Sequence, residues 1–236
     1  YCNQVFVTDS VEGIVPDFLT LLHGVIDSPD IPLNISRSYL QSDARVKQIS
    51  SHISKKVADK LDELFKKGRK DFEEKWDDIK IFIEYGMIAE DKFYDKATKF
   101  TLFKNTENKY FTLEEYKKSI KSNQTDKDKK LVYLYTSNVD DQHTYIQAAK
   151  DRGYDVLIMD SPLSAHFVGK LEQKLENTSF VRVDSDSIDK LINKDEKQIS
   201  KLSEKDQEKL KPMIEEIVPK DKFMVVFESL SEKDQP

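Results

Sequence analysis

Cysteine and glycine are both scarce in this sequence, with one cysteine and six glycines among 236 residues. A single cysteine, Cys2, cannot form an internal disulfide, which is compatible with the reducing cytoplasm. The phosphate-binding motifs G-x-G-x-x-G and G-x-x-x-x-G-K-[ST] are both absent from the sequence. We therefore expect that the chain by itself does not bind a nucleotide tightly.

Long apolar runs are also missing, and charged residues make up 35% of the chain. No run approaches the length needed to cross a membrane, and the sequence begins without a signal-peptide pattern. The net charge of −6 argues against a general affinity for nucleic acid or for anionic membrane surfaces. The composition therefore predicts a soluble protein that binds neither.

Metal-binding and nucleophilic motifs are absent as well. No H-E-x-x-H, C-x-x-C or G-x-S-x-G string occurs, and paired carboxylates lie beside lysines in helical stretches. The histidines are scattered over different predicted elements: His23, His52, His143 and His166. We predict no metal site and no Cys-His or serine nucleophile.

The first hundred residues are predicted to be mostly helical. A short strand at residues 5–7 and a short helix beginning at Pro16 come first. Apolar residues then recur every three or four positions from residue 43 to Gly68, which predicts a long amphipathic helix. A second apolar stripe follows, with Trp76 in the core, and two such stripes predict an antiparallel helical pair.

The second half alternates strands and helices. Thr112 and Glu115 have the spacing of a capping box, which predicts that a helix begins there. Strands are predicted at 131–135, 155–159 and 180–183, with helices at 140–151 and 161–175 between them. This order is typical of a small α/β unit with a mostly parallel sheet. A charged linker at 194–205, a helix at 206–218 and a strand at 223–227 complete the prediction.

Residues 32–41 contain the candidate site. If a helix begins at Ser36, Arg37 and Gln41 project from the same face, with Asn34 in the preceding turn. An arginine at such a position can present its guanidinium to a phosphate. The alternative is an ordinary surface arginine, solvated or paired with a carboxylate, and spacing alone favours this alternative.

Three strings together resemble the ninety-kilodalton heat-shock chaperones, and most closely their bacterial branch. They are V-F-V-T-D at residues 5–9, L-V-Y-L-Y-T at 131–136, and P-D-F-L-x-x-L-x-G-V-I-D-S-P-D-I-P-L-N-I-S-R-x-x-L-Q at 16–41. The last string is highly specific, and the resemblance extends over nearly the whole chain. It implies that the chain is a segment of a longer protein, covering most of a middle domain and the start of a carboxyl-terminal domain.

The resemblance implies a mixed α/β architecture in four parts. Residues 1–42 would end a larger α/β sandwich and carry a catalytic loop, and residues 43–104 would form a helical connector. Residues 105–194 would form a smaller α/β/α unit with a mostly parallel sheet. Residues 195–236 would form a linker and the first helix and strand of a dimerisation domain.

The resemblance also implies an ATP-dependent chaperone that assists protein folding in the cytoplasm. Arg37 matches the family's γ-phosphate-contacting arginine, and Gln41 and Asn34 match the glutamine and asparagine of the same loop. ATP and Mg²⁺ would bind an amino-terminal ATPase domain that these residues complete, so the 236 residues alone would be inactive and hold no cofactor. The implied partners are that ATPase domain, unfolded client proteins and, in the full-length protein, a second copy of the chain.

His166 and Phe167 are the candidate client contacts, because they follow the most apolar strand at the carboxyl end of the sheet. The alternative is that Phe167 packs the helix on the sheet. Residues 161–165 lack the acidic run usual in relatives, which weakens a client role. Two other functions remain open: an interaction scaffold without ATP coupling, and an enzyme that binds a phosphate ligand in the 131–183 unit.

Overall fold

The computed structural model describes residues 1–7, 9, 13–29, 44–186, 188–194 and 204–217. Helices and short strands both occur in these ranges, which confirms the predicted mixed α/β class. The predicted strand at 223–227 and most of the predicted linker at 194–205 lie outside the described residues. A helix, α9 (Glu204–Ile217), occupies the position predicted for 206–218.

The chain begins with a tight turn, and the predicted strand at residues 5–7 is wrong. Two backbone hydrogen bonds between Cys2 and Val5, of 2.8 and 3.0 Å, curl the chain there. Asn3 and Gln4 have positive φ angles of 50° and 66°, which extended strands do not adopt. The helix predicted at Pro16 is present as a single 3₁₀ turn, Asp17–Leu19.

The helical part begins with α1 (Ala44–Lys67), which confirms the long amphipathic helix and its end before Gly68. The second predicted helix is interrupted. It forms α2 (Arg69–Glu74) and α3 (Trp76–Ala89), separated at Lys75, whose backbone N–H turns back to the carbonyls of Phe72 and Glu73. A further helix, α4 (Asp91–Ala97), follows directly.

The predicted antiparallel helical pair is therefore too simple. The break at Lys75 divides the second partner into shorter helices, and α1 packs most closely against α2 and α4. Trp76, at the start of α3, is 3% exposed, which confirms its predicted place in the core.

A two-stranded antiparallel hairpin joins the helices to the α/β unit. Its strands are β1 (Leu102–Lys104) and β2 (Tyr110–Thr112), with Phe103 opposite Phe111. The hairpin leads into α5 (Leu113–Ile120), and the predicted capping box is confirmed. The Thr112 hydroxyl accepts from the Glu115 N–H, and the Glu115 carboxylate accepts from the Thr112 N–H.

The α/β unit has a three-stranded, fully parallel sheet in the order β4-β3-β5, as the sequence predicted. Its strands are β3 (Leu131–Thr136), β4 (Val156–Ile158) and β5 (Thr178–Arg182). The helices α6 (His143–Asp151) and α7 (Ser164–Lys174) connect them, and α8 (Ile188–Leu191) follows.

Both connecting helices begin about three residues later than predicted, because side chains organise the preceding turns. The side-chain amide oxygen of Asn138 (Oδ1) accepts from the backbone N–H groups of Asp140 and Asp141 before α6. The Ser161 hydroxyl accepts from the Leu163 N–H before α7. Such local hydrogen bonds favour turns over helix.

One apolar core is continuous from the helices to the sheet. Phe167 of α7 stacks on Phe103 of β1, with ring centroids 6.2 Å apart, and Tyr133 of β3 stacks on Phe180 of β5 at 4.7 Å. The same cluster includes Phe18 and Trp76 on the helical side. The core therefore crosses the domain boundary that the resemblance implies after residue 104, and the three boundaries between the four parts stay predictions.

Candidate functional site

The predicted phosphate-contacting residues, Asn34, Arg37 and Gln41, lie outside the described residues. The structure describes the chain on both sides of them, up to residue 29 and from residue 44. Ile14 and Val46, each 2% exposed, share a small apolar cluster that Ile26, Ile49 and Ile53 extend. The chain therefore enters and leaves this segment beside one packed cluster.

Polar contacts strengthen the incoming side of the segment. The amino group of Tyr1 donates to the Ile26 carbonyl at 2.8 Å, and the Ser28 N–H donates to the Tyr1 carbonyl at 3.2 Å. The Gln4 N–H donates to the Asp27 carboxylate at 3.0 Å. These contacts fix residues 26–28, just before the candidate loop, against the first turn of the chain.

A polar cavity of about 300 Å³ lies between α3, β1 and the carboxyl end of β4. Glu84 of α3 lines it and is only 7% exposed, and its Oε2 atom has no hydrogen-bond partner. Burial raises the pKa of Glu84, and the nearby Asp160 carboxylate raises it further, against the Ser161 hydroxyl and Lys80. Sequence reasoning missed this carboxyl, although it follows a core position, Ile83, in the second apolar stripe.

A chain of ion pairs lines that cavity. Lys80 contacts Asp160 at 2.7 Å and Asp77 at 3.5 Å, and Lys104 contacts Asp77 at 3.1 Å. Lys80 and Lys104 thus both have carboxylate partners, and the described residues that line the cavity include no other cation to receive an anionic ligand. We therefore assign the ion pairs a structural role in joining α3 to β1 and β4.

Arg69 is a second position that the sequence did not single out. Its guanidinium donates to both oxygens of Glu115, at 2.5 and 2.8 Å, to Glu73 at 2.8 Å and to the Tyr110 carbonyl at 3.1 Å. The hydrogen bonds from Arg69 hold the pKa of Glu115 at about 2. Since Glu115 also completes the capping box, Arg69 joins α2 to the start of α5.

Comparison with known proteins identifies the family. A family model described as Hsp90 protein matches residues 1–233. The chain belongs to the Hsp90 family. The resemblance read from residues 5–9, 16–41 and 131–136 is thereby confirmed.

The Hsp90-family relatives include three bacterial proteins named Chaperone protein HtpG. The protein of Bacteroides fragilis strain YCH46 is 65% identical over 196 residues, which cover 83% of this chain and 29% of that protein. The protein of strain 638R is 58% identical over 239 residues, covering 100% of this chain and 35% of its own length. The Porphyromonas gingivalis W83 protein is 55% identical over 233 residues, which cover 98% of this chain and 34% of that protein. The chain thus spans about a third of the length of these relatives.

The two candidate client-contact residues of this Hsp90-family chain differ in exposure. His166 is exposed on α7. Phe167 is 1% exposed and stacks on Phe103, so its ring packs the helix against the hairpin and is not available at the surface. The packing alternative accounts for Phe167, and a contact role for His166 stays a prediction.

The described residues contain neither a candidate metal site nor a candidate membrane span. Among the described residues, no group of three or more His, Cys, Asp and Glu side chains could hold a metal ion. No helix in the described ranges is both long enough and apolar enough to span a membrane.

Proposed function

We propose that this chain is the middle segment of an ATP-dependent molecular chaperone that assists protein folding in the cytoplasm. The observation that carries the proposal is the match to the Hsp90 family over residues 1–233, together with relatives named as chaperones. We further propose that Arg37 contacts the γ-phosphate of ATP held by a separate amino-terminal domain. Full-length homodimerisation and the binding of unfolded clients belong to the same proposal.

The proposed chemistry needs little from this chain beyond a positioned cation. Phosphoryl transfer depends on positioning and on stabilising negative charge, and Mg²⁺ bound with the nucleotide supplies part of that stabilisation. Arg37 would add a guanidinium, whose planar donors match phosphate oxygens. Gln41 and Asn34 would orient the loop and the attacking water. The packed cluster of Ile14 and Val46 supports this role, because it gives the loop a fixed base.

Supplying the arginine from a second domain makes hydrolysis conditional on domain closure. ATP can bind while the domains are apart, but the charge that develops in the transition state is stabilised only after they meet. Nucleotide binding and turnover should therefore separate when Arg37 is changed.

The test uses a chimera in which this chain replaces the aligned segment of the Bacteroides fragilis 638R relative. We expect Arg37→Ala to lower the rate of ATP turnover by ~10²–10³-fold and to leave ATP binding intact, since only a transition-state contact is lost. Arg37→Lys keeps the positive charge but loses the planar guanidinium, so its rate of ATP turnover should lie between those of the unchanged chimera and the Arg37→Ala variant. Lys47→Ala, at an exposed position near the start of α1, is the matched control and should change neither the rate of ATP turnover nor ATP binding.

Equal turnover by the chimera and its Arg37→Ala variant would contradict the phosphate contact. If the chimera also suppressed client aggregation without any dependence on ATP, the alternative of an interaction scaffold without ATP coupling would replace the proposal.

A further inference from the structure

A second, larger cavity of about 970 Å³ opens where the helices meet the sheet. It is lined by the carboxyl ends of α1 and α7, the residues after α4, and one face of α5. We call it the lysine cleft after the side chains that dominate its walls: Lys66, Lys99, Lys117, Lys118, Lys121 and Lys174.

The charge of the lysine cleft is opposite to that of the whole chain. Its six lysines face three carboxylates, Asp62, Glu114 and Glu176, which leaves an excess of three positive charges in a chain of net charge −6. A concave surface that carries charge of one sign concentrates the electric field and attracts ligands of the opposite charge. The cleft is therefore a local attractor for anions on an acidic protein.

Four of the six lysines are available to a ligand. Lys66 pairs with Asp62 at 2.6 Å, and Lys174 pairs with Asp91 at 2.9 Å. Among the described residues, no carboxylate forms an ion pair with the remaining four, all of which are exposed: Lys99, Lys117, Lys118 and Lys121.

The rest of the cleft wall suits a polypeptide. Leu113, Leu175 and Tyr133 contribute apolar surface between the lysines, and Thr98 and Thr178 contribute hydroxyls. Alternate side chains of an extended peptide point to opposite sides, so acidic and apolar residues can each find a matching wall. The volume lies at the upper end of the range for compact ligand sites, which fits several residues of extended chain.

We infer that the lysine cleft binds an extended, Asp- and Glu-rich segment of another polypeptide. A single-stranded nucleic acid fits less well, because such ligands bind grooves in which aromatic side chains stack on the bases, and Tyr133 is the only aromatic residue in the described cleft wall. If the bound segment belongs to an unfolded client, that identification rests on the proposed chaperone function. The binding itself is independent of ATP and of Arg37.

The experiment measures fluorescence anisotropy with the 236-residue chain and a labelled peptide of about twelve residues, ~40 Å long when extended, that alternates Glu with Leu and Ser. A peptide with Gln in place of each Glu tests the dependence on charge. We expect the acidic peptide to bind, the Gln peptide to bind much more weakly, and the affinity to fall between about 50 mM and 500 mM NaCl, because exposed charges are screened.

Two double variants with the same change in net charge locate the site. Lys117→Gln with Lys118→Gln should weaken binding about tenfold, since two exposed, solvent-screened charge pairs with the peptide are lost. Lys55→Gln with Lys56→Gln changes two adjacent exposed lysines of α1 that do not line the cleft, and should leave binding unchanged. All four positions are exposed on helices, so circular dichroism should show both variants folded.

Three outcomes would overturn the inference: no binding of the acidic peptide, equal effects of the two double variants, or tighter binding of a single-stranded oligonucleotide than of the peptide. These assays contain no ATP and no amino-terminal domain. The peptide can therefore fail to bind while the Arg37 test succeeds, and it can bind while the Arg37 test fails.

Discussion

At the scale of single residues, Glu84 is a carboxyl group in an unfavourable, buried environment. It is 7% exposed, and its Oε2 atom has no hydrogen-bond partner. Burial, as the largest influence, raises its pKa in the folded state. The folded chain therefore holds a proton at a pH where the unfolded chain has released it, and stability falls as the pH rises through that window.

Replacing this carboxyl with an amide should remove the titration. We expect Glu84→Gln to be more stable than the unmodified chain at about pH 7.5, by about 1–2 kcal/mol, because an ionised buried group costs more than an amide. The difference should shrink towards zero as the pH falls well below about 4.3, where the carboxyl becomes protonated in both states. Urea denaturation across this pH range measures it.

Glu74→Gln is the control, since Glu74 is exposed at the end of α2 and its replacement should change stability little at any pH. A Glu84→Gln variant whose stability follows the same pH curve as the unmodified chain would contradict the assignment.

Residue-scale prediction from sequence succeeded for local features and failed for contacts between distant parts of the chain. The capping box of Thr112 and Glu115 was predictable, because both partners lie within four residues. The ion pair of Arg69 was not predictable, since its partner Glu115 lies 46 positions away and nothing in the sequence links the two residues. The burial of Phe167 depends in the same way on Phe103, which belongs to a hairpin that was not predicted.

At the scale of elements, α3 depends on a close approach at Gly86. A Cβ atom at this position would lie 2.8 Å from ring atoms of both Phe18 and Phe93. Gly169 of α7 is the opposite case, because a Cβ atom there would meet nothing within 4 Å. Two helical glycines thus differ only in their surroundings.

Alanine substitutions at the two positions should act in opposite directions. We expect Gly86→Ala to destabilise the chain by about 1–3 kcal/mol, because the clash with two aromatic rings outweighs the gain in helix propensity. Gly169→Ala should stabilise it by up to ~1 kcal/mol through that same gain. Midpoints of urea denaturation compare the two, and equal shifts would show that the packing at Gly86 is looser than described.

Elements with a strong periodic signal or a well-bounded apolar run were predictable, and the two strands of the hairpin were not. The 24 residues of α1 repeat their apolar positions over several turns, and the three parallel strands are apolar runs bounded by turns. The strands β1 and β2 are only three residues each, too short to show an alternation. The apolar residues 5–7 looked like such a strand, but hydrogen bonds between Cys2 and Val5 form a turn instead.

At the scale of the whole molecule, the shared core couples the helices to the sheet. Phe167 lies on α7 of the sheet unit, and Trp76, the only tryptophan of the chain, lies on α3. Both belong to one continuous apolar cluster. The sequence alone suggested separate units, because motif boundaries say nothing about which apolar faces meet.

Phe167→Leu tests this coupling. We expect a loss of about 1–2 kcal/mol from the smaller side chain, and we expect Trp76 fluorescence and far-UV circular dichroism to shift together, as for one cooperative transition. Tyr145→Leu changes an aromatic residue that is 49% exposed and should have little effect. A shift in circular dichroism without a shift in Trp76 fluorescence would mean that the two parts unfold separately.

The helix α1 has a mechanical consequence. Its 24 residues form a rod ~36 Å long, which begins at Ala44, three residues after the candidate segment 32–41, and ends beside the lysine cleft. If its amino end is taken as the pivot, a tilt of about ten degrees displaces Lys66 by ~6 Å on that length. Leverage of this kind would let a modest reorientation at the amino end of α1 widen or narrow the lysine cleft at its other end without any rearrangement of the side chains between them.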